Sequence, residues 1–243
     1  MVKRMVYPKE LFDLQFTFAE RVRALSGLPL ERVLLDYTNF YVRFGLGRTF
    51  DPQHPAWQAY LAGLRAAHDL REWTYRFYLR NPEATTAPDL AATFGCFSYA
   101  LESADRIRMH FRNAETESIS PLSRARMDQR RAELTALFRH VRETAGVNIV
   151  VVGVSWLYNL DAYRRLFPPA YGLSARVARN RFRSMPLWGQ FVDHRGRVRG
   201  SRAHPFLRSL AEHSSPASLD ECFPLQALTV EAPVEQFYGF YGV

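Results

Sequence analysis

Four side chains capable of binding or proton transfer follow a short, strongly apolar segment in the second half of the chain. The segment, residues 149–152, is β-branched throughout, which predicts a strand buried on both faces. The four side chains that follow it are Ser155, Trp156, Tyr158 and Asn159. Ligands of open α/β sheets bind outside the carboxyl ends of strands, so we expect these side chains to line a ligand cleft. A hydroxyl such as that of Tyr158 can act there as a proton donor.

The same residues also have a purely structural interpretation. Trp156 and Tyr158 are then core aromatics, and Asn159 caps the helix that follows. That helix is predicted over about residues 161–167, because the two prolines after it cannot continue its hydrogen bonds. Sequence alone leaves both interpretations open.

The segment RIRMHFRN alternates charged and apolar side chains. Its charged positions are Arg106, Arg108, His110 and Arg112, and its apolar positions are Ile107, Met109 and Phe111. A strand-like segment, residues 94–101, precedes it across four residues, which predicts an antiparallel hairpin. We expect Arg106 and Arg108 to bind an anionic small-molecule substrate, and His110 to act as a catalytic group that titrates near neutral pH. A solvated strand face explains the same alternation.

A cationic segment lies between residues 176 and 202. It contains eight arginines, namely Arg176, Arg179, Arg181, Arg183, Arg195, Arg197, Arg199 and Arg202, and one acid, Asp193. It therefore carries +7 of the formal charge of +8. Such a localised charge indicates an anionic partner. Nucleic acid, the phosphates of a cofactor and an acidic protein all remain possible.

Length and composition exclude some classes of protein. With 243 residues and 47% hydrophobic residues, the chain can form one large domain or two small ones. No apolar run is long enough to span a bilayer and no signal peptide is evident, so we expect no membrane partner and a cytoplasmic location. The two cysteines are far apart, and the histidines lack ligand spacing, so no metal site is expected.

The predicted fold class is α+β. Apolar residues recur every three or four positions through most of residues 8–80, which predicts a helical N-terminal region, residues 1–87, with an aromatic core. Residues 88–243 are predicted to form a mixed β-sheet domain with flanking helices. A long amphipathic helix within 120–145 ends before Gly146, and further strands are expected at 187–192 and 225–233.

The passage SWLYNLDAYRRLFPP, with the hairpin and the helix PLSRARMDQRRAELTALFRH before it, resembles the C-terminal domain of GNAT-like bacterial acyltransferases. A helical N-terminal domain precedes that domain too. The resemblance implies a sheet splayed at the central strand, opened by a bulge at Gly153, with the pantetheine arm of acetyl-CoA or another acyl-CoA in the gap. It implies that Tyr158 donates a proton to the leaving thiolate and that Asn159 contacts the substrate. The cofactor would be bound by Ser155, Trp156, Arg176, Arg179, Arg181 and Arg183.

The family's usual phosphate loop is not found in this sequence. That loop has Gln or Arg, two residues, Gly, one residue, then Gly or Ala, whereas the chain reads ETESISPLSRARM before the long helix. Three hypotheses follow: an acyltransferase, a non-enzymatic protein whose basic segment 176–202 binds nucleic acid or an acidic protein, and a family member that serves only as a scaffold. The missing loop favours the second and third hypotheses. The polar cluster after the central strand favours the first.

Overall fold

The structure is a computed structural model that describes residues 6–81, 90–115, 119–146, 148–179, 181–182 and 184–243. These residues form two compact units. The helical unit comprises the described residues of 4–88 and 180–224, and the sheet unit comprises those of 89–179 and 225–243. The fold class is α+β, as predicted, with a six-stranded mixed sheet and flanking helices among the described residues.

The described residues form the following elements. The α-helices are α1 (Lys9–Ser26), α2 (Leu30–Tyr37), α3 (Phe40–Arg43), α4 (Pro55–Ala66), α5 (Leu70–Arg80), α6 (Met127–Thr144), α7 (Asp161–Arg164), α8 (Pro169–Leu173), α9 (Gly200–Glu212) and α10 (Val234–Tyr241). The strands are β1 (Leu90–Phe94), β2 (Phe97–Ser103), β3 (Arg106–Phe111), β4 (Val150–Ser155), β5 (Arg176–Val177) and β6 (Leu228–Pro233). Short 3₁₀ helices lie at Arg124–Arg126, Trp156–Asn159, Met185–Phe191 and Pro216–Cys222. No helix in the described part of the chain combines the length and hydrophobicity needed to cross a membrane.

The helical unit is built on an aromatic core, as the spacing of its apolar residues predicts. Helices α1 to α5 carry fully buried aromatic side chains that pack ring against ring, among them Phe12, Phe18, Tyr41, Trp57 and Tyr60. Aromatic rings bury large areas and prefer tilted or edge-to-face contacts, which these rings make. The helical prediction for residues 8–80 is confirmed by α1 to α5.

Residues 180–224 belong to the helical unit, although the predicted boundary placed them with the sheet. The strand predicted at 187–192 is wrong, because Met185–Phe191 is a 3₁₀ helix. Pro186 lacks the N–H that a strand ladder needs, and proline is well suited to a helix start. Trp188 is fully buried and contacts Phe18 of α1 at a ring-centroid distance of 5.5 Å. This packing explains why the segment joins the helices.

The sheet has the strand order β1-β2-β3-β4-β6-β5. Only β3 and β4 are parallel, and α6 connects them; the other neighbours are antiparallel. The predicted hairpin is confirmed as β2–β3, and the last predicted strand as β6. The strand predicted over 94–101 is confirmed for 97–101 as part of β2, whereas Phe94 ends β1, because Gly95, with a φ of 58°, turns the chain between the two strands.

The two faces of the sheet differ in chemistry, as the alternation in β3 predicts. Ile107 and Met109 are buried in a core that includes Leu134, Leu137 and Phe138 of α6. Phe111 packs against the same core, and Arg106, Arg108 and His110 lie on the opposite, open face. Helix α6 is shorter than the predicted helix, and Gly146 lies just beyond its C-terminal end with a φ of 84°, as expected for a left-handed residue there.

Candidate functional site

The parallel pairing of β3 with β4 covers only the first half of each strand. Arg106–Arg108 pair with Val150–Val152. Beyond this point β3 runs on to Phe111 and β4 runs on to Ser155, while β4 stays paired with β6 along its full length. We call the space between the later halves, 109–111 and 153–155, the β3–β4 gap. It lies at the carboxyl ends of two parallel strands, where ligands of such sheets bind.

Gly153 lies at the start of the gap, but it is not a bulge. The register with β6 is unbroken from Val150, opposite Pro233, to Ser155, opposite Leu228. The predicted bulge is therefore wrong. The position requires glycine for another reason: a Cβ there would lie 2.0 Å from Tyr158 Oη and 2.6 Å from Tyr171 Oη. Two phenol hydroxyls thus lie directly against the β4 backbone beside the gap.

Tyr158 is both a core aromatic and a group at the gap. Its side chain is 2% exposed and its ring packs edge-on against Tyr163 at 5.2 Å. The hydroxyl oxygens of Tyr158 and Tyr171 are 3.1 Å apart. Burial raises the pKa of Tyr158 well above its ordinary value, so the hydroxyl stays protonated at neutral pH. No pattern in the sequence identified Tyr171, which belongs to α8.

Ser155 and Asn159 organise the turn that follows β4. Ser155 Oγ accepts a hydrogen bond from the backbone N–H of Leu157 at 3.1 Å. Asn159 Nδ2 donates to the carbonyl oxygens of Trp156 and Gln226, both at 2.8 Å. The capping role predicted for Asn159 is therefore wrong, because its amide holds its own turn and the segment before β6. The half-buried Trp156 stands at the end of the gap.

The open face of the sheet carries charged side chains in pairs. Arg106 of β3 and Arg176 of β5 both bind Glu231 of β6, at 3.1 and 2.7 Å. Arg108 binds Glu102 of β2. We call these five residues the arginine strip. His110 is half-buried and follows Arg108 along β3, on the same face and beside the gap.

The basic segment is partly neutralised within each unit. Arg176 is held by Glu231 in the sheet unit, whereas Arg181 is held by Asp36 of the helical unit, at 2.7 Å. Arg197 binds Asp193 at 2.9 Å. Arg179 is exposed in the sheet unit, and Arg183 lies outside the described residues. These ion pairs lower the positive charge that the segment can offer to a nucleic-acid backbone.

A buried ionic cluster lies at the start of α6, where the resemblance implies a phosphate-binding loop. Arg130, in the first turn of α6, is 0% exposed and donates to Glu115 at 2.6 Å and Glu133 at 2.7 Å. It also contacts the thiol of Cys96, whose backbone N–H donates to Glu133 at 3.1 Å. A Cβ on Gly95 would lie 2.1 Å from the Glu133 carboxylate. We call these five residues the Arg130 cluster.

The Arg130 cluster stabilises the fold and has no reactive nucleophile. Burial raises the pKa of the Cys96 thiol, so it is a poor nucleophile at neutral pH. Within the described residues, no three His, Cys, Asp or Glu side chains converge as metal ligands would.

The helical unit has a surface cavity of about 580 Å³ between the start of α1 and α9, near Pro8 and Leu207. Arg195 and Arg197 of the basic segment line this cavity, whereas the residues predicted to bind acyl-CoA or its acceptor do not.

No protein-family model, curated protein or solved structure matches this chain. The function is therefore inferred from the geometry of its own residues. That geometry defines an α+β protein in which the pairing of two parallel strands ends halfway along them, with a buried, protonated tyrosine pair on one face of the sheet there and charged residues on the other.

Gly153→Ala is expected to lower the free energy of unfolding by about 2 kcal/mol, because the added methyl group overlaps two buried hydroxyls. Urea denaturation measures the change. The matched control is Gly172→Ala, since a Cβ there meets nothing within 4 Å, and its effect should stay within about 0.5 kcal/mol. If both variants were equally stable, the tyrosines would have to move freely away from β4.

Proposed function

We propose that the sheet unit transfers an acyl group from acyl-CoA to a nucleophilic acceptor. The observation that supports this most is that the pairing of β3 with β4 ends beside two tyrosine hydroxyls. Backbone N–H and C=O groups need partners, and the β3-facing side of 153–155 lies outside the β3–β4 ladder. The amides of a pantetheine arm can bond there, as an extended peptide bonds to the edge of a sheet.

The strand topology also supports this proposal. A long helix, α6, links two parallel strands whose pairing ends after Arg108 and Val152, and β6 pairs antiparallel with β4 on its other side. This is the arrangement that the resemblance to GNAT-like acyltransferases implies. At the start of α6, Glu115 and Glu133 already bind the guanidinium of Arg130. The phosphates of acyl-CoA therefore need another cation. Arg179 fits that role best of the predicted arginines, because it is exposed whereas Arg176 and Arg181 are ion-paired.

The proposed reaction uses Tyr158 as the acid and His110 as the base. An acceptor ammonium first loses one proton to His110. The amine nitrogen then attacks the thioester carbonyl, so the N–C bond forms and the C–S bond breaks. The leaving thiolate takes the proton of Tyr158, and the second proton of the nitrogen restores Tyr158 through solvent. One proton is released to solvent for each transfer.

Calorimetric titration with acetyl-CoA, and then with a longer acyl-CoA, tests this proposal at moderate salt. Saturable binding is expected, and Val154→Phe, which narrows the gap, should weaken it about tenfold or more. The matched control is Val150→Phe, which makes the same change on the same face of β4 where β3 is still paired. Its affinity should stay close to that of the original chain.

One result of these titrations would contradict acyl transfer. If neither acyl-CoA produces heat and labelled DNA or RNA shows a salt-sensitive shift, the acyl-transfer proposal is wrong. The basic segment 176–202 would then become the functional surface.

A further inference from the structure

The arginine strip alternates positive and negative charge across one face of the sheet. The order from β5 to β3 is Arg176, Glu231, Arg106. The strand register places all three on the face of Val150 and Val152, away from the core. Their side chains are 69%, 36% and 41% exposed, so solvent and small solutes reach them.

The arginine strip leads directly to the β3–β4 gap. Arg108 lies opposite Val152, in the last paired position before the strands part. The next residues on the same face are His110 on β3 and Val154 on β4. The opposite face is filled at this level by the buried Tyr158 and its neighbours. An acceptor therefore has to approach the gap over the open face, past Arg108 and Arg106.

The charges of the strip favour a ligand that carries a carboxylate. Three guanidiniums and two carboxylates leave a net positive charge, and a guanidinium binds a carboxylate through two parallel hydrogen bonds. His110 and Arg108 are two residues apart along a strand, roughly 7 Å, a distance that a small molecule spans.

We propose that the acceptor is a small amine that also carries a carboxylate, bound with its carboxylate on Arg106 and Arg108 and its amine beside His110. Arg106 and Arg108 are paired with Glu231 and Glu102, so the acceptor carboxylate displaces these two side chains from them. This inference rests on the proposed acyl transfer and names the class of acceptor. Arg176 then belongs with the acceptor rather than with the phosphates of the donor, because Glu231 ties it to Arg106.

Two measurements on the full chain test this inference. The first is NMR-detected binding of glutamate, butylamine and glutarate without any acyl-CoA. Glutamate should bind saturably and at least about tenfold more tightly than butylamine, which carries only positive charge, or glutarate, which carries only negative charge. The second is release of CoA thiol from acetyl-CoA with each amine. Arg106→Gln should raise the KM for glutamate about tenfold and leave the KM for acetyl-CoA unchanged.

The controls separate this inference from the proposed function. Arg139→Gln, an exposed position on α6, should change neither constant, and Arg176→Gln provides a second strip variant. If acetyl-CoA turns over with butylamine as well as with glutamate, the acceptor inference is wrong and acyl transfer stands. If no amine releases thiol, acyl transfer is wrong, and glutamate binding that Arg106→Gln abolishes still supports the charge recognition. If glutamate does not bind, the acceptor inference is wrong.

Discussion

Tyr158→Phe is expected to lower kcat for acyl transfer by about 100-fold, the lower end of what a positioned general acid contributes. The substitution removes one oxygen atom and leaves the ring in its contacts with Tyr163 and Tyr171. The leaving thiolate would then have to take its proton from water. Thiol release at saturating acetyl-CoA measures the loss, and the KM for acetyl-CoA should change little.

The pH profile gives this prediction a second, independent readout. Burial raises the pKa of Tyr158 well above its ordinary value of 10, so its proton is present throughout the neutral and mildly alkaline range. The rate of the original chain should therefore show no decline from Tyr158 ionisation below about pH 10. Tyr238→Phe is the control, because Tyr238 is another buried tyrosine whose hydroxyl donates to the Gly146 carbonyl at 2.6 Å, away from the gap. Equal activity of Tyr158→Phe and Tyr238→Phe would remove Tyr158 from the mechanism.

The predictable part of the fold is the part that local periodicity determines. The alternation in β3 predicts its two faces, and the spacing of apolar residues predicts α1 and α6, because each pattern reports burial of one side of one element. The segment 185–191 lacks such a local signal. Its conformation depends on Trp188 packing against Phe18, more than 160 residues earlier, and no pattern within the segment contains that contact.

The candidate site, too, could be predicted from sequence only in part. The position of Tyr158 just after a buried strand follows from sequence, because strand ends and ligand sites coincide in α/β sheets. The contact of Tyr158 with Tyr171 and the binding of Glu231 by two arginines could not be predicted. Both depend on how α8 and β6 pack beside β4. Gly153 shows most clearly what sequence alone cannot predict. Glycine in a strand indicates either a bulge or another group lying close to the backbone, and the second is found here because the hydroxyls of two tyrosines pack against Gly153.

Arg130→Met is expected to lower the free energy of unfolding by about 4 kcal/mol, since it leaves Glu133 without its buried cation and Glu115 with only Arg126, at 3.6 Å. Glu115 and Glu133 are only 12% and 13% exposed, so water cannot replace the guanidinium. Urea denaturation measures the loss, and Arg139→Met, on the exposed side of α6, should stay within about 0.5 kcal/mol.

Adding Glu115→Gln and Glu133→Gln to Arg130→Met should recover part of the lost stability, because the triple variant buries no net charge. A loss below about 1 kcal/mol in the single variant would mean that water reaches both carboxylates. Recovery in the triple variant would instead establish that the start of α6 is closed by an internal ion cluster. In that case Arg130 cannot bind an external phosphate, because Glu115 and Glu133 already hold it, and the exposed Arg179 is a better candidate for the phosphates of an acyl donor.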